Sequence, residues 1–150
     1  GLQGRALTSQ MESYQRSQAL ILLKDMGDRL AANRSSAADY VTASPLGTGA
    51  AEPAVADPIV DGDLTDWHNA LLGAAEVQSG GNVGAMIGAR GCVYQVVAPA
   101  SGVAARYLVA VAWQGLNRTA APAVDCGEDE YGDDTLRRVV TLPVTIGYLD

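Results

Sequence analysis

Residues 7–30 read LTSQMESYQRSQALILLKDMGDRL, and this stretch decides the fold. Its apolar residues recur at the three- and four-residue intervals of an amphipathic α-helix. At 100° per residue, one narrow sector holds Leu7, Met11, Tyr14, Ile21 and Leu22, together with Gln18, Asp25 and Arg29. A second apolar set, roughly 100° further round, consists of Ala19, Leu23, Met26 and Leu30. We therefore predict one helix that serves two partners and buries a different face at each end.

The chain has 150 residues, which is enough for one domain with a sizeable core. We predict a single domain of three segments: the helix over 1–33, a connector with a short helix over 34–82, and a β-sheet region over 83–150. No unbroken apolar run in the sequence, including residues 19–23 of the helix, is long enough to span a bilayer. Because the sequence has no initiator Met and no targeting segment, we expect it to begin inside a longer protein.

The net charge of −7 is unevenly distributed along the chain. Residues 1–34 carry five Lys/Arg and three Asp/Glu, whereas residues 35–150 carry five and fourteen. This acidity argues against non-specific binding of nucleic acid by the globular part. Two interpretations of the asymmetry remain: charge matching between neighbouring copies or partners, or acidic residues that keep the surface soluble.

The helix should run to about Ala32, with Asn33 as a left-handed terminator. Residues 34–62 are rich in Ala, Pro, Gly, Ser and Asp and show no periodicity, which indicates a surface connector. We predict that Asp63 or Thr65 is the N-cap of a second, short helix.

The second half of the chain is strand-like. After a glycine turn at 80–81, the predicted strands cover residues 83–87, 92–98, 106–113 and 136–149. The third of these is apolar on both faces, with Tyr107 and Trp113 on one and Ala110 on the other, so it should be central. The sequence does not show which of its faces the helix covers. Pro143 indicates an edge position or a bulge in the last strand, and the whole pattern predicts an α+β fold.

The chain has two cysteines, Cys92 on a predicted strand and Cys126 on a later loop. Their spacing excludes the common zinc and thioredoxin-like motifs. We predict one disulfide, which in the loop-entropy model contributes about 3 to 4 kcal/mol and implies an oxidising compartment. Two unconnected buried thiols are the alternative.

The sequence shows no catalytic constellation. His68 is the only histidine, and no Gly-x-Ser-x-Gly elbow surrounds any serine. The glycine-rich stretch 80–88 has neither Gly-x-Gly-x-x-Gly nor a Walker lysine, so we interpret it as a loop leading into a strand. We therefore predict no enzymatic activity, no catalytic or cofactor-binding residues and no cofactor.

Two acidic clusters have the composition of calcium-binding loops. The first holds Asp57, Asp61, Asp63 and Asp66, and the second holds Glu128, Asp129, Glu130, Asp133 and Asp134. Neither matches the EF-hand spacing. We interpret both as solvated acidic loops and predict no metal site, with calcium binding as the alternative.

The helix and several later positions resemble PilV-type minor pilins of bacterial type IV pili. In the helix the resemblance rests on LQGR at 2–5, QRSQA at 15–19, DM at 25–26 and DRLAAN at 28–33. Further along it rests on Trp67, Leu71, the glycine turn, Tyr94 and VAVAW at 109–113, followed by a cysteine and a terminal strand. The chain departs from the family at residues 78–79, where a Pro often precedes the glycine turn.

The resemblance implies a type IV pilin fold, in which a long N-terminal helix packs on an antiparallel β-sheet with a C-terminal disulfide-bounded region. It implies that the helix interface to neighbouring subunits contains Leu7, Met11 and Tyr14. The core between helix and sheet would contain Leu23, Met26, Leu30 and Trp113. The missing upstream part would supply a leader cut by a prepilin peptidase and an apolar half-helix.

The function that the resemblance implies is a non-enzymatic minor pilin that joins other minor pilins, primes pilus assembly and stays at the tip. Its partners would be other minor pilins, the major pilin, a tip adhesin and, through the upstream half-helix, the inner membrane. It would face the periplasm before assembly and lie in the extracellular pilus afterwards. The alternatives are an adhesin-like binding module on the pilus and a minor pseudopilin of a type II secretion system.

Overall fold

The computed structural model describes residues 2–74 and 86–147. In chain order its elements are helix α1 (Leu2–Ala32), a 3-10 segment (Arg34–Tyr40), strand β1 (Leu46–Gly47), helix α2 (Pro58–Ala74), strands β2 (Ile87–Val97) and β3 (Ala105–Gln114), a 3-10 turn (Asp134–Leu136) and strand β4 (Arg137–Ile146). Three predicted features lie outside the described residues: the glycine turn at 80–81, residues 83–85 of the first predicted strand, and residues 148–149 of the last.

Helix α1 ends at Ala32, as predicted. The prediction of a left-handed Asn33 is wrong, because this residue has φ −119° and ψ 45°. Its backbone N–H donates to the carbonyl of Arg29 (3.1 Å), and its side-chain amide donates to the Tyr40 hydroxyl (3.2 Å). These bonds lead the chain directly into the 3-10 segment, so the left-handed reversal that often ends a helix is not needed.

The connector over 34–62 is more ordered than its composition predicts. The 3-10 segment buries Tyr40, and β1 buries Leu46. Between them, the N–H of Thr42 donates to the carbonyl of Val93 in β2 (3.0 Å). The connector therefore follows the sheet edge because it buries side chains and satisfies backbone groups there.

Helix α2 begins earlier than predicted. Neither Asp63 nor Thr65 is its N-cap, because the helix starts at Pro58 and Asp57 Oδ1 accepts two N–H groups of its first turn (2.9 and 3.1 Å). Asp is favoured at the N-cap and Pro at the first helical position, so the local sequence does specify this start. Asp63 instead forms an ion pair with Arg29 of α1.

Among the described residues, four strands form one antiparallel sheet in the order β1-β2-β3-β4. Strand β3 is central, as its two apolar faces predict, and Val109 pairs with Val93 of β2 and with Leu142 of β4. Strand β4 lies at an edge, in agreement with the prediction from Pro143.

Strand β2 runs without a break from Ile87 to Val97, which corrects the prediction of two separate strands at 83–87 and 92–98. At the predicted break the strand has a register shift between Ile87 and Arg90. Gly88 lies at this shift with φ +63°, a conformation that side-chain-bearing residues rarely adopt. The glycine therefore produces an irregularity within one strand.

The two faces of β3 pack against different parts of the molecule. One face contributes Tyr107, Val109, Val111 and Trp113 to the main core, which also contains buried side chains of α1 and α2. The other face packs Ala110 and Ala112 against Cys92, Cys126 and Tyr131. The helix thus covers the face with the larger side chains, and the alanines leave room for the disulfide-bearing loop.

Cys92 and Cys126 are joined in a disulfide, with their Cα atoms 6.0 Å apart, which confirms the predicted pairing. The bond connects β2 to the long segment between β3 and β4. Together with the long helix and the antiparallel sheet, it confirms the predicted α+β architecture with a disulfide-bounded region near its C-terminal end.

Candidate assembly interface on helix α1

From its first turns to Ile21, α1 leaves several apolar side chains at the surface. Leu7, Tyr14 and Ile21 are 54%, 54% and 69% exposed, and Met11 is partly exposed. We call these four residues the exposed row. Three of them follow one another at seven-residue intervals, the repeat with which one helix presents a continuous seam to another.

Tyr14 lies at the middle of the exposed row. The side-chain amide of Gln18, one turn further along, donates a hydrogen bond to its hydroxyl (3.1 Å). Tyrosine is frequent at protein interfaces, because its ring buries apolar area while its hydroxyl keeps a polar partner. The exposed row therefore has the chemistry of a contact surface.

The exposed row ends where α2 begins to cover α1. Leu22, which the sequence pattern placed in the same sector as Leu7, is buried, and its backbone carbonyl accepts the indole N–H of Trp67 (2.9 Å). Leu20 is 52% exposed. The sequence pattern did not predict an exposed apolar residue here, because Leu20 lies in neither of the two apolar sets of the helix. The change from exposed to covered apolar residues thus occurs around residues 19–22.

The carboxyl-terminal half of α1 is buried in the protein's own core. The main core contains Leu23, Met26, Leu30 and Trp113, each at most 2% exposed. The residues assigned from sequence to the core between helix and sheet are thus brought together. The residues assigned to the helix interface, Leu7, Met11 and Tyr14, lie outside that cluster on the surface.

A polar contact holds the amino-terminal half of α1 against the sheet. Glu12 accepts hydrogen bonds from the backbone N–H of Leu116 (2.9 Å) and from the guanidinium of Arg138 (3.0 Å). Burial opposes ionisation of Glu12, but these hydrogen bonds and the Arg138 charge outweigh burial and lower the pKa of the carboxyl group. Glu12 is therefore ionised at neutral pH and helps to set the position of the exposed row relative to the sheet.

Two buried arginines organise the segment between β3 and β4, and sequence analysis identified neither. Arg138 donates to the carbonyl of Asn117 as well as to Glu12. Arg137 donates to the carboxylate of Asp134 (2.7 Å) and to the carbonyl of Cys126 (2.9 Å). The signal available in the sequence was an arginine pair directly after an acidic run, which predicts charge pairing between them.

The first acidic cluster serves the structure of α2. Asp57 caps the helix, Asp61 accepts an N–H of the preceding loop (2.8 Å), and Asp63 accepts the guanidinium of Arg29 (2.9 Å). Arg29 also donates to Asp25 (2.9 Å). Burial by itself lowers the pKa of Arg29, but its bonds to Asp25 and Asp63 outweigh burial and raise the pKa. This network ties α2 to α1.

The second acidic cluster is partly paired with arginines. The ion pairs are Glu130 with Arg90 (3.6 Å), Asp133 with Arg118 (3.0 Å) and Asp134 with Arg137 (2.7 Å). Glu128 and Asp129 are exposed. In residues 2–74 and 86–147, no group of three or more His, Cys, Asp or Glu side chains is arranged to hold a metal ion.

His68 is a buried structural residue. Its Nδ1 accepts the backbone N–H of Gly47 (2.9 Å), which fastens β1 to α2. Because β1 has only two residues, this bond adds to its short pairing with β2 in positioning the strand at the sheet edge.

Within the part of the chain that the structure describes, no helix has an apolar stretch of sufficient length to cross a lipid bilayer. Residues 1–53 match the model of a family described as Tt1218-like: Type IV pilin Tt1218. No curated protein and no solved structure matches the chain. The matched segment contains α1 and therefore the whole exposed row.

The family match and the architecture agree. A long N-terminal helix, an antiparallel four-stranded sheet and the disulfide are consistent with the type IV pilin fold. The match supports a type IV pilin subunit and does not single out the PilV type. It also implies association with other pilus subunits and a pilus-related location.

Proposed function

We propose that this protein is a PilV-type minor pilin that joins other minor pilins in a complex priming type IV pilus assembly and remains at the pilus tip. The observation that carries the proposal is the exposed row on α1, within the segment that matches a type IV pilin family. The row is apolar, extends over two heptads and faces away from the main core. A seam of this kind is suited to packing against another helix.

The proposed mechanism is non-covalent helix packing, and its energetics limit what the exposed row can do alone. Fully burying one large apolar side chain contributes about 1.5–3 kcal/mol, so completing the burial of Leu7, Tyr14 and Ile21 contributes roughly 4 kcal/mol. Association of two proteins costs about 4–15 kcal/mol. The row therefore selects a partner within a larger contact, to which other surfaces of the ectodomain contribute in the purified chain and the upstream apolar half-helix contributes in the full-length protein.

The remaining parts of the proposal follow from the same assignment. Residues 1–150 form one pilin-like ectodomain, which follows an apolar half-helix anchored in the inner membrane and faces the periplasm. After assembly it lies in the extracellular pilus, in contact with other minor pilins, the major pilin and a tip adhesin. The family match suggests a structural, non-enzymatic protein, and no cofactor or nucleic acid enters the mechanism.

The experiment measures binding of the purified chain to the purified heads of candidate minor pilins by biolayer interferometry at concentrations up to the high micromolar range. The test variant is Tyr14→Arg, which places a charge at the centre of the exposed row. The matched control is Leu20→Arg, because Leu20 is 52% and Tyr14 54% exposed on the same helix. The two positions are roughly 120° apart around the helix axis.

We expect specific binding to at least one pilin head, reduced about tenfold or more by Tyr14→Arg and little changed by Leu20→Arg. Circular dichroism should show both variants folded, because neither side chain belongs to the core. Equal loss in both variants would contradict the assignment of the row as the interface. Binding only to pseudopilin heads of a type II secretion system would replace the pilus assignment.

A further inference from the structure

A polar groove of about 690 Å³ runs along the side of α1 that lies against the loop after β3. Its lining includes Arg5, Thr8, Glu12, Arg16 and Asn117. The charge of Glu12 is balanced by Arg138, which is outside the lining. Arg5 and Arg16 therefore give the groove two positive charges that no carboxylate among the described residues pairs with.

Arg16 is held in position at this groove. Its guanidinium lies over the ring of Trp113, 5.8 Å from the centroid. A cation on an aromatic face keeps its charge while its side chain loses freedom, so less entropy remains to be lost on binding an anion. The groove therefore presents a positioned positive charge, which suits a carboxylate-bearing partner.

The opposite face of the sheet carries an acidic projection. Tyr131 and the Cys92–Cys126 disulfide pack this segment against Ala110 and Ala112 of β3. Within it, Glu128 and Asp129 are exposed and have no ion pair among the described residues. We call these two residues the acidic tip.

We infer that the groove of one copy of this chain binds the acidic tip of a second copy. The charge distribution supports this occupant: residues 1–34 have a net charge of +2 (five minus three), and residues 35–150 have −9 (five minus fourteen). Because groove and tip lie on opposite faces of the sheet, one copy can use both at once. Such a heterologous contact repeats from copy to copy, giving a ring if the rotation between copies closes and an open chain if it does not.

The inference does not rest on the proposed function. On α1, Arg5 and Arg16 lie roughly 180° from Leu7 and Tyr14, so the groove and the exposed row are on opposite sides of the helix. A charged contact between copies can therefore fail while binding of other pilins through the row persists, and the reverse also holds. Tyr14→Arg should leave self-association unchanged.

The test is self-association of the chain, measured by sedimentation velocity over a concentration series. Two charge variants are compared: Arg5→Glu with Arg16→Glu, and Glu128→Lys with Asp129→Asn. Asn is chosen at 129 because the residue has φ 65°, which Asn tolerates. The control is Arg34→Glu with Arg106→Glu, which changes the net charge as the groove variant does, at exposed sites outside the groove.

We expect the unmodified chain to associate at about 0.02 M salt and to associate at least tenfold more weakly at about 0.5 M. Each charge variant alone should self-associate about tenfold or more weakly than the unmodified chain, because its groove and its acidic tip then carry like charges. An equimolar mixture of the two variants should associate again, since their groove and tip charges are complementary. The control should stay within about threefold of the unmodified chain.

The mixture is the decisive measurement. If the two variants had lost association because they were misfolded, mixing them would not restore it. Absence of association by the unmodified chain at low salt would overturn the inference. So would failure of the mixture to associate when both variants are folded by circular dichroism. An equal loss in the control would show a net-charge effect without a site, and would overturn it as well.

Discussion

The two halves of α1 contain the same kinds of apolar residue and use them in opposite ways. In the carboxyl-terminal half, Leu23, Met26 and Leu30 are at most 2% exposed in the main core. In the amino-terminal half, Leu7 and Tyr14 are each 54% exposed. The comparison shows that one helix both builds the fold and presents a surface, because the sheet and α2 cover only part of its length.

The difference arises from what lies beside each half. The indole N–H of Trp67 donates to the carbonyl of Leu22, and Arg29 pairs with Asp63, so α2 is fixed to the later turns of α1. The earlier turns meet the sheet mainly through polar contacts, such as that of Glu12 with Arg138. The exposed row lies outside both contacts and outside the main core.

The largest difference should come from truncating matched leucines in the two halves. Leu23→Ala should lower the free energy of unfolding by about 2–5 kcal/mol, because it leaves a cavity in the main core. Leu7→Ala should change it by about 0.5 kcal/mol or less, since the side chain is half exposed. Urea unfolding followed by circular dichroism measures both, and similar losses would show that the two halves are not used differently.

The next effect concerns the polar contact of the amino-terminal half. Glu12→Gln removes the charge beside buried Arg138 and should lower the free energy of unfolding by about 1–2 kcal/mol at pH 7. Because the folded-state pKa of Glu12 is below its ordinary value of 4.5, this contribution is present above that pH and is lost as pH falls through the folded-state pKa.

Urea unfolding at pH 7 and at pH 3 gives the free energy of unfolding of the Glu12→Gln variant and of the unmodified chain. The difference between these two free energies should be smaller at pH 3 than at pH 7. Asp28→Asn is the control, because Asp28 pairs with Lys24 at an exposed site and such pairs contribute about 0–1 kcal/mol. If the difference in free energy of unfolding between Glu12→Gln and the unmodified chain is the same at both pH values, the charge of Glu12 does not hold α1 to the sheet.

The smallest effect distinguishes the two halves through their glycines. At Gly4 an added methyl group meets nothing within 4 Å, so Gly4→Ala should stabilise the protein by about 0.5 kcal/mol through helix propensity. At Gly27 the methyl would lie 2.7 Å from Leu142 Cδ2, so Gly27→Ala should destabilise by about 1 kcal/mol. Thermal unfolding of the pair checks the sign, and stabilisation by both would indicate loose packing of α1 on β4.

The features that sequence predicted well depend on local periodicity. The length of α1, the central position of β3 and the edge position of β4 follow from patterns within each segment. The missed start of α2 was also local, since Asp57 and Pro58 specify it and only the composition of the connector obscured them.

The features that sequence could not predict depend on contacts between distant residues. Strand β1 is held by a bond from Gly47 to His68, and neither residue signals it. Leu22 is buried because α2 packs over it. The spacing of apolar residues within α1 does not indicate this contact. In the candidate interface, the pattern places Leu7, Met11 and Tyr14 on one sector but does not determine how far α2 extends along the helix.

Site-specific photo-crosslinking in cells that express the full-length protein tests the central claim most directly. A photoreactive amino acid replaces Tyr14 in one strain, Leu20 in a second and buried Leu23 in a third. We expect a crosslinked product with another pilin from position 14, much less from position 20 and no intermolecular product from position 23. Equal products from positions 14 and 20, or none from position 14 in assembled pili, would contradict it.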